Sequence, residues 1–214
     1  MGAARWPAPH GMKLMEPHDS PTSPVARELL HTRQVRYQGY RRADGLWDIE
    51  ATMSDARSYD SLGIDSTVLS AGDPVHDMTI CLTLDDTLTV RAVSSRMAAV
   101  PATVCQQAQA PLQAMVGVGM TSGWRHAIER AMGRTKGCTH LRELLFNMAT
   151  AAYQTIPVRI SQLKRLAHPH EEASREAPSH LGGCMTWDLS GPTVQRYYPQ
   201  SYVPPGAADG QEPA

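Results

Sequence analysis

From Gln34 to Tyr40 the chain alternates, with Val35 and Tyr37 directed one way and Arg36 and Gln38 the other. After the turn signal Ala43-Asp44-Gly45 the alternation resumes. Trp47, Ile49, Ala51 and Met53 share one face, and Asp48, Glu50 and Thr52 the opposite one. A period of two on both sides of an Asp-Gly turn predicts a β-hairpin with one buried face. Its outer face sets arginines against acids, which reads as cross-strand pairing rather than a phosphate-binding surface. A second hairpin follows a polar loop from Ser54 to Asp77. Met78, Ile80, Leu82 and Leu84 form the inner face of its first strand, Asp85-Asp86 the turn, and Leu88, Val90 and Ala92 the inner face of the return.

The period then becomes helical. Val104, Cys105, Ala108, Leu112, Met115 and Val116 predict a helix from near Thr103, kinked or split by Pro111. Trp124, Ile128 and Met132 predict a short helix ending near Gly133. Leu141, Leu144, Leu145, Met148, Ala149 and Ala152 predict a third, with Thr139 as N-cap and Pro157 as its stop. A final strand pair is expected from Cys184 to Tyr198, turning at Ser190-Gly191-Pro192. Strands first and helices second imply an α+β domain: a small antiparallel sheet of two hairpins plus the C-terminal strands, with about three helices packed on one face.

At 214 residues the chain is long enough for one such domain with tails. Residues 1–30 are Pro-rich and poor in bulky apolar groups, so disorder is expected there. The domain spans 31–203, with a flexible linker at about 166–181. Within that linker the stretch from His168 to His180 reads as solvated chain rather than a metal tract. A frayed tail covers 204–214. A net charge of -1 gives no global attraction to nucleic acid or to an anionic membrane. No apolar run approaches the roughly 20 residues that span a bilayer, and the N-terminus lacks the apolar core of a secretory signal. A cytoplasmic location is the expectation, and a protein partner is left open.

The four cysteines, Cys81, Cys105, Cys138 and Cys184, do not form the dense framework of a small secreted fold. Cys81 points with Thr79 and Thr83 away from the predicted core. Candidate chemistry gathers at three element ends: His76-Asp77 before a strand, Cys105 in the first turn of a helix, and Gly137-Cys138-Thr139-His140 opening the last helix. Cys138 stands out because a helix N-terminus favours the thiolate, the form that binds metal or attacks carbon. The plainer reading of Cys138 is a small residue fitting a tight turn after Gly137, and of Cys105 a core residue. Cys138 and His140 diverge by about 200° on a helix, so they meet at one ion only if Cys138 precedes the helix proper. There is no Cys-x-x-Cys, Walker A, Gly-x-Ser-x-Gly or His-Glu-x-x-His motif, and Gly117-Val118-Gly119 lacks the strand–turn–helix setting of a dinucleotide site.

Several strings occur together and in order: Gly39 to Ala51, Pro74-Val75-His76-Asp77-Met78, Gly137-Cys138-Thr139-His140-Leu141, Ala149 to Thr155, and the tail around Cys184 and Tyr197-Tyr198-Pro199. In these the chain resembles a bacterial family known only as domain of unknown function 2889, over about Arg33 to Tyr202. The order of elements is also similar to the iron–sulfur scaffold proteins of the NifU/IscU type, which gather three cysteines and an aspartate at one end of a sheet. That resemblance implies a shared centre of Asp77, Cys105 and Cys138 with His76 or His140. His76 and Gly137 stand where the scaffolds carry a cysteine and a histidine, so the remaining donors suit Zn²⁺ better than an all-thiolate Fe–S cluster. Three functions follow as expectations: a Zn²⁺ or labile Fe–S module, a Cys138-nucleophile enzyme for acyl or thioester transfer, or an interaction module without chemistry.

Overall fold

The computed structural model describes residues 25–64, 66–121, 123–167 and 181–206. The expectations for residues 1–24, for 168–180 and for 207–214 lie outside the described residues. The chain divides into two compact units, Met1–Ala152 and Tyr153–Ala214.

The first unit is built on a four-stranded antiparallel sheet in the order β1-β2-β5-β6. Its strands are β1 (His31–Arg41), β2 (Trp47–Arg57), β5 (Pro74–Leu84) and β6 (Val90–Ala99); a two-stranded hairpin, β3 (Ser61–Leu62) and β4 (Val68–Leu69), is inserted between β2 and β5. The alternating pattern fixes the register. Ile49 stands opposite Leu82, Ala51 opposite Ile80 and Met53 opposite Met78, so one face of the sheet is a continuous apolar layer. All six of these side chains are buried. A one-residue slip would turn every one of them to the other face.

The return strand departs from the expected pattern. Val90 pairs with Leu84 and Ala92 with Thr83, which leaves Arg91 as an extra residue in β6. This bulge reverses the parity of the strand. Leu88 and Val90 are buried as expected, but Ala92 is exposed, and the inner positions become Val93, Ser95 and Met97.

The segment Thr103–Met115 is a 3₁₀ helix, not an α-helix, and Pro111 lies inside it without splitting it. Three residues per turn align Gln106, Gln109, Leu112 and Met115 in one row. Leu112 and Met115 are buried, whereas Val104 and Val116, expected on the apolar face, are exposed. The glutamines are turned to β6: Gln106 Nε2 donates to the Met97 carbonyl at 2.8 Å, Gln113 Nε2 to the Val93 carbonyl at 3.1 Å, and Ser95 Oγ to Gln109 Oε1 at 3.0 Å.

Helix α1 (Trp124–Met132) and helix α2 (Thr139–Ala167) follow. Trp124, Ala127, Ile128 and Met132 on α1 and Leu141, Leu144, Leu145 and Met148 on α2 are buried. The Trp124 indole N–H donates to the Leu145 carbonyl at 2.9 Å, joining the two helices through a buried bond. Pro157 does not stop α2, which runs ten residues beyond it. A proline forfeits one backbone donor and crowds the carbonyl four residues earlier, a cost of about 3 kcal/mol that the hydrogen bonds of a 29-residue helix outweigh.

In the second unit the expected C-terminal strands are absent among the described residues, and a 3₁₀ turn at Met185–Trp187 and helix α3 (Pro192–Tyr197) stand in their place. Pro192 is the reason. At the first position of a helix its fixed φ and missing N–H carry no penalty. The preceding Gly191 carbonyl accepts the Gln195 N–H at 3.1 Å, so the turn opens into a helix.

Candidate functional site

The inner-facing row of β2 continues one step past Met53, to Asp55. A carboxylate at that position enters the apolar side of the sheet, and Asp55 is 2% exposed. A buried charge must be paired, and the neighbouring strands supply the partners. Arg33, its direct cross-strand neighbour on β1, donates from Nε to Asp55 Oδ1 at 2.7 Å and from Nη2 to Oδ2 at 2.8 Å. This two-pronged pair is the strong form of arginine–carboxylate recognition. On the other side His76 of β5 stands opposite Asp55 in the ladder, with Nδ1 3.0 Å from Oδ2. His31 Nε2 lies 3.2 Å from Oδ1.

The start of α2 completes the cluster. Gly137 passes so close to the end of α1 that a Cβ there would meet the Met132 Cβ at 2.9 Å. Only glycine fits, and that contact sets where the next residues fall. Cys138 is the N-cap residue: its carbonyl accepts the Arg142 N–H at 3.0 Å, while Thr139, expected as the cap, is the first helical residue. Cys138 therefore precedes the helix proper, and its sulfur comes within 3.8 Å of His140 Nδ1. The His140 ring contacts that of His76, with centroids 4.1 Å apart and planes at 50°. Glu143, one turn on, accepts from Arg33 Nη1 at 3.3 Å.

One ligand atom each from Asp55, His76 and His140 lies within 4.8 Å of the others, the one such group of three among the described residues. Of the residues singled out in the sequence, His76 and His140 thus come together, with Cys138 against His140. Asp77 follows His76 on β5, and the alternation turns it to the other face of the sheet, opposite Ser54. Cys105 lies in the first turn of the 3₁₀ helix, half-buried, and belongs to no such group. Cys184 is exposed in the second unit. Cys81 is half-buried on the outer face of β5, and burial pushes its thiol up to about 11, away from reactivity.

The electrostatics follow from burial and from Arg33. The Arg33 hydrogen bonds, with lesser help from the histidines, outweigh burial and hold Asp55 at about 2. His76 is lowered below the ordinary imidazole value, by burial first, against the opposing pull of Asp55. His140 is lowered too, by burial and then by the charges of His76 and Arg33. Both rings are therefore held toward the neutral form, the one that ligates a metal.

Asp55 and Arg33 carry the site and were not singled out in the sequence. Their signal was present: extending the period-two row Trp47, Ile49, Ala51, Met53 by one residue lands a carboxylate on the buried face. Beside the cluster, Val35, Tyr37, Met53, Leu144, Glu143 and Asn147 line a small cleft of about 200 Å³.

No helix among the described residues is long and apolar enough to cross a membrane. No curated protein and no solved structure matches the chain, so the likeness to iron–sulfur scaffolds gains no support from comparison. The family model described as protein of unknown function (DUF2889) matches residues 31–154. That stretch begins at β1 and ends two residues past the first compact unit, so it contains the whole Asp55 cluster. It covers more than half of the sequence, and the chain belongs to this family.

Proposed function

We propose that the first unit is a transition-metal-binding module centred on Asp55, His76 and His140, with Cys138 at its edge. The observation that carries this reading is the convergence of the three ligand-bearing side chains to within 4.8 Å from β2, β5 and the start of α2. Two imidazoles held toward neutrality, a carboxylate and a neighbouring thiol form a mixed N/O/S donor set. Such a set suits Zn²⁺ and is poor in thiolate for an Fe–S cluster. The reading places Asp55 where Asp77 was expected and does not use Cys105.

The test is metal analysis of protein purified without chelator, with a Zn²⁺ titration followed by thermal unfolding. About one equivalent is expected in wild type and a loss in His140→Ala. Free Zn²⁺ at 100 times Kd adds about 2.7 kcal/mol to the stability of wild type. Sub-stoichiometric metal together with an unmoved unfolding transition rejects the reading.

A second reading rests on the contact of Cys138 Sγ with His140 Nδ1 at 3.8 Å. It makes Cys138 a nucleophile toward an acyl or thioester carbon, with His140 as its base. Metal-free protein then labels at Cys138 with iodoacetamide faster than free cysteine does near neutral pH, and His140→Ala removes the excess rate. A thiol no faster than free cysteine rejects it.

A further inference from the structure

Asp55 faces two claims on the same oxygens. It is one of the three residues whose ligand atoms converge, and it accepts the two-pronged bond from Arg33. A carboxylate offers about four lone-pair sites. Arg33 Nε at 2.7 Å and His31 Nε2 at 3.2 Å face Oδ1, while Arg33 Nη2 at 2.8 Å and His76 Nδ1 at 3.0 Å face Oδ2. All four sites meet a nitrogen, so an ion reaches Asp55 only where one of these gives way.

An imidazole gives way by releasing a proton or turning its ring. A guanidinium keeps its charge and offers donors alone, so Arg33 yields only by moving. A second cation on the same carboxylate repels it at a distance of a few ångströms, and the repulsion is poorly screened because Asp55 is buried.

The place for Arg33 to go is already in contact. Its Nη1 lies 3.3 Å from Glu143 Oε2 on α2. The Arg33 side chain is 36% exposed and that of Glu143 52%, so both have room to adjust in solvent. Nε and Nη2 hold Asp55 while Nη1 reaches Glu143. Turning the guanidinium about its Glu143 contact frees both Asp55 oxygens and leaves the arginine paired.

We infer that Arg33 is the resident counter-cation of the site, transferred from Asp55 to Glu143 when a divalent metal ion binds. This rests on the metal-binding reading above and adds how its affinity is regulated. Before metal arrives, Arg33 spares the fold a buried unpaired carboxylate. When metal arrives, binding competes with Arg33, and Glu143 eases the exchange. The transfer also strengthens the hold of α2 on β1.

The test is Zn²⁺ affinity by chelator competition on the full chain freed of metal, with unfolding measured in the absence of metal. Arg33→Gln should bind about 10–100-fold more tightly, the factor that a hydrogen bond to a charged group represents. Without metal the same variant should be less stable, because Asp55 loses its partner. These opposite signs separate competition from a merely structural role, which lowers both. Glu143→Gln should bind about two- to fivefold more weakly, the range of an exposed ion pair, and the loss should vanish in the Arg33→Gln background.

Wild type that binds while Arg33→Gln binds no more tightly overturns the exchange and leaves the metal-binding reading standing. So does a Glu143→Gln effect that is absent, or equal in both backgrounds. Wild type that takes up no Zn²⁺ overturns both, even where Arg33→Gln takes it up, since Arg33 is then a permanent counter-ion. Should Arg33→Gln not fold, solvent exchange of the wild-type Arg33 Nε–H decides. Its protection by Asp55 should be lost as Zn²⁺ is added, and retained protection overturns the exchange.

Discussion

Asp55 and Asp85 lie at opposite ends of the same sheet and are both held at about 2, yet they are built differently. At Asp85 burial would raise the carboxyl. The Thr87 hydroxyl and the Thr89 and Thr87 N–H groups outweigh it, together with Arg91 six residues on. Every donor comes from the same turn or from the start of β6, and the group is part of what closes the β5–β6 connection. At Asp55 the partners are 21 to 24 residues away and belong to two other strands. The side chain is 3% exposed against 18% for Asp85. A similar titration therefore arises from a local turn in one place and from the assembled sheet in the other. Only the assembled one brings two imidazoles together beside the carboxylate.

That contrast sets the order of expected effects. Asp55→Ala strands Arg33 beside an apolar face and is expected to cost about 3 kcal/mol, the lower end for a broken buried pair because Arg33 is partly exposed. Asp85→Ala gives up turn hydrogen bonds and is expected to cost about 1–2 kcal/mol. Urea unfolding of both variants measures the gap, and equal losses would erase the distinction. Gly137→Ala forces a methyl against Met132 and is expected to cost about 1–3 kcal/mol by overpacking. Its Cys138–His140 pair should also shift, which the rate of Cys138 labelling by iodoacetamide reads; an unchanged rate would free that pair from its dependence on the contact.

The pH response separates the two ends further. The folded-state values of His76 and His140 lie below the unfolded imidazole value of about 6.5. In that window the unfolded chain binds protons that the fold does not, so stability is complete above about 6.5 and declines as pH falls through the lower folded values. His140→Gln should flatten the decline and Asp85→Asn should leave it intact, as followed by unfolding at stepped pH. Both carboxylates contribute stability above about 3.8 that is lost as pH falls toward 2. The smallest effect is expected at Arg91, 57% exposed beside Asp85. Arg91→Ala should cost below about 1 kcal/mol and shrink further in high salt, whereas a salt-dependent loss at Arg33 would blur the comparison.

The sheet was legible because its signal is local: a period of two with Trp47, Ile49, Ala51 and Met53 on one side needs no knowledge of the rest of the chain. The bulge at Arg91 was not, since an extra residue leaves no mark in composition and shows only when the partner strand is present. The 3₁₀ segment misled for a related reason. Its row of Gln106, Gln109, Leu112 and Met115 is half polar, so a search for an apolar stripe finds a different set at the α-helical period. Pro157 and the Cys184–Tyr198 stretch show the limit of single breakers, because a proline can sit within a long helix or begin a short one. At the site, His76, Cys138 and His140 were noticeable as reactive residues at element ends. Asp55 was hidden inside a pattern that had been read one residue too short.

The glutamine amides along β6 have a consequence for growth of the sheet. They and the backbone pairing of Val90 with Gly117 and Val118 occupy hydrogen-bonding groups on that margin, so an incoming strand finds them taken. Among the described residues the other margin is β1, eleven residues long and rich in arginine. With part of the β6 border occupied, strand addition between copies of this sheet is favoured at β1. Two copies joined β1 to β1 would make a two-fold pair bordered on both sides by β6, whose occupied groups disfavour further growth toward a fibre.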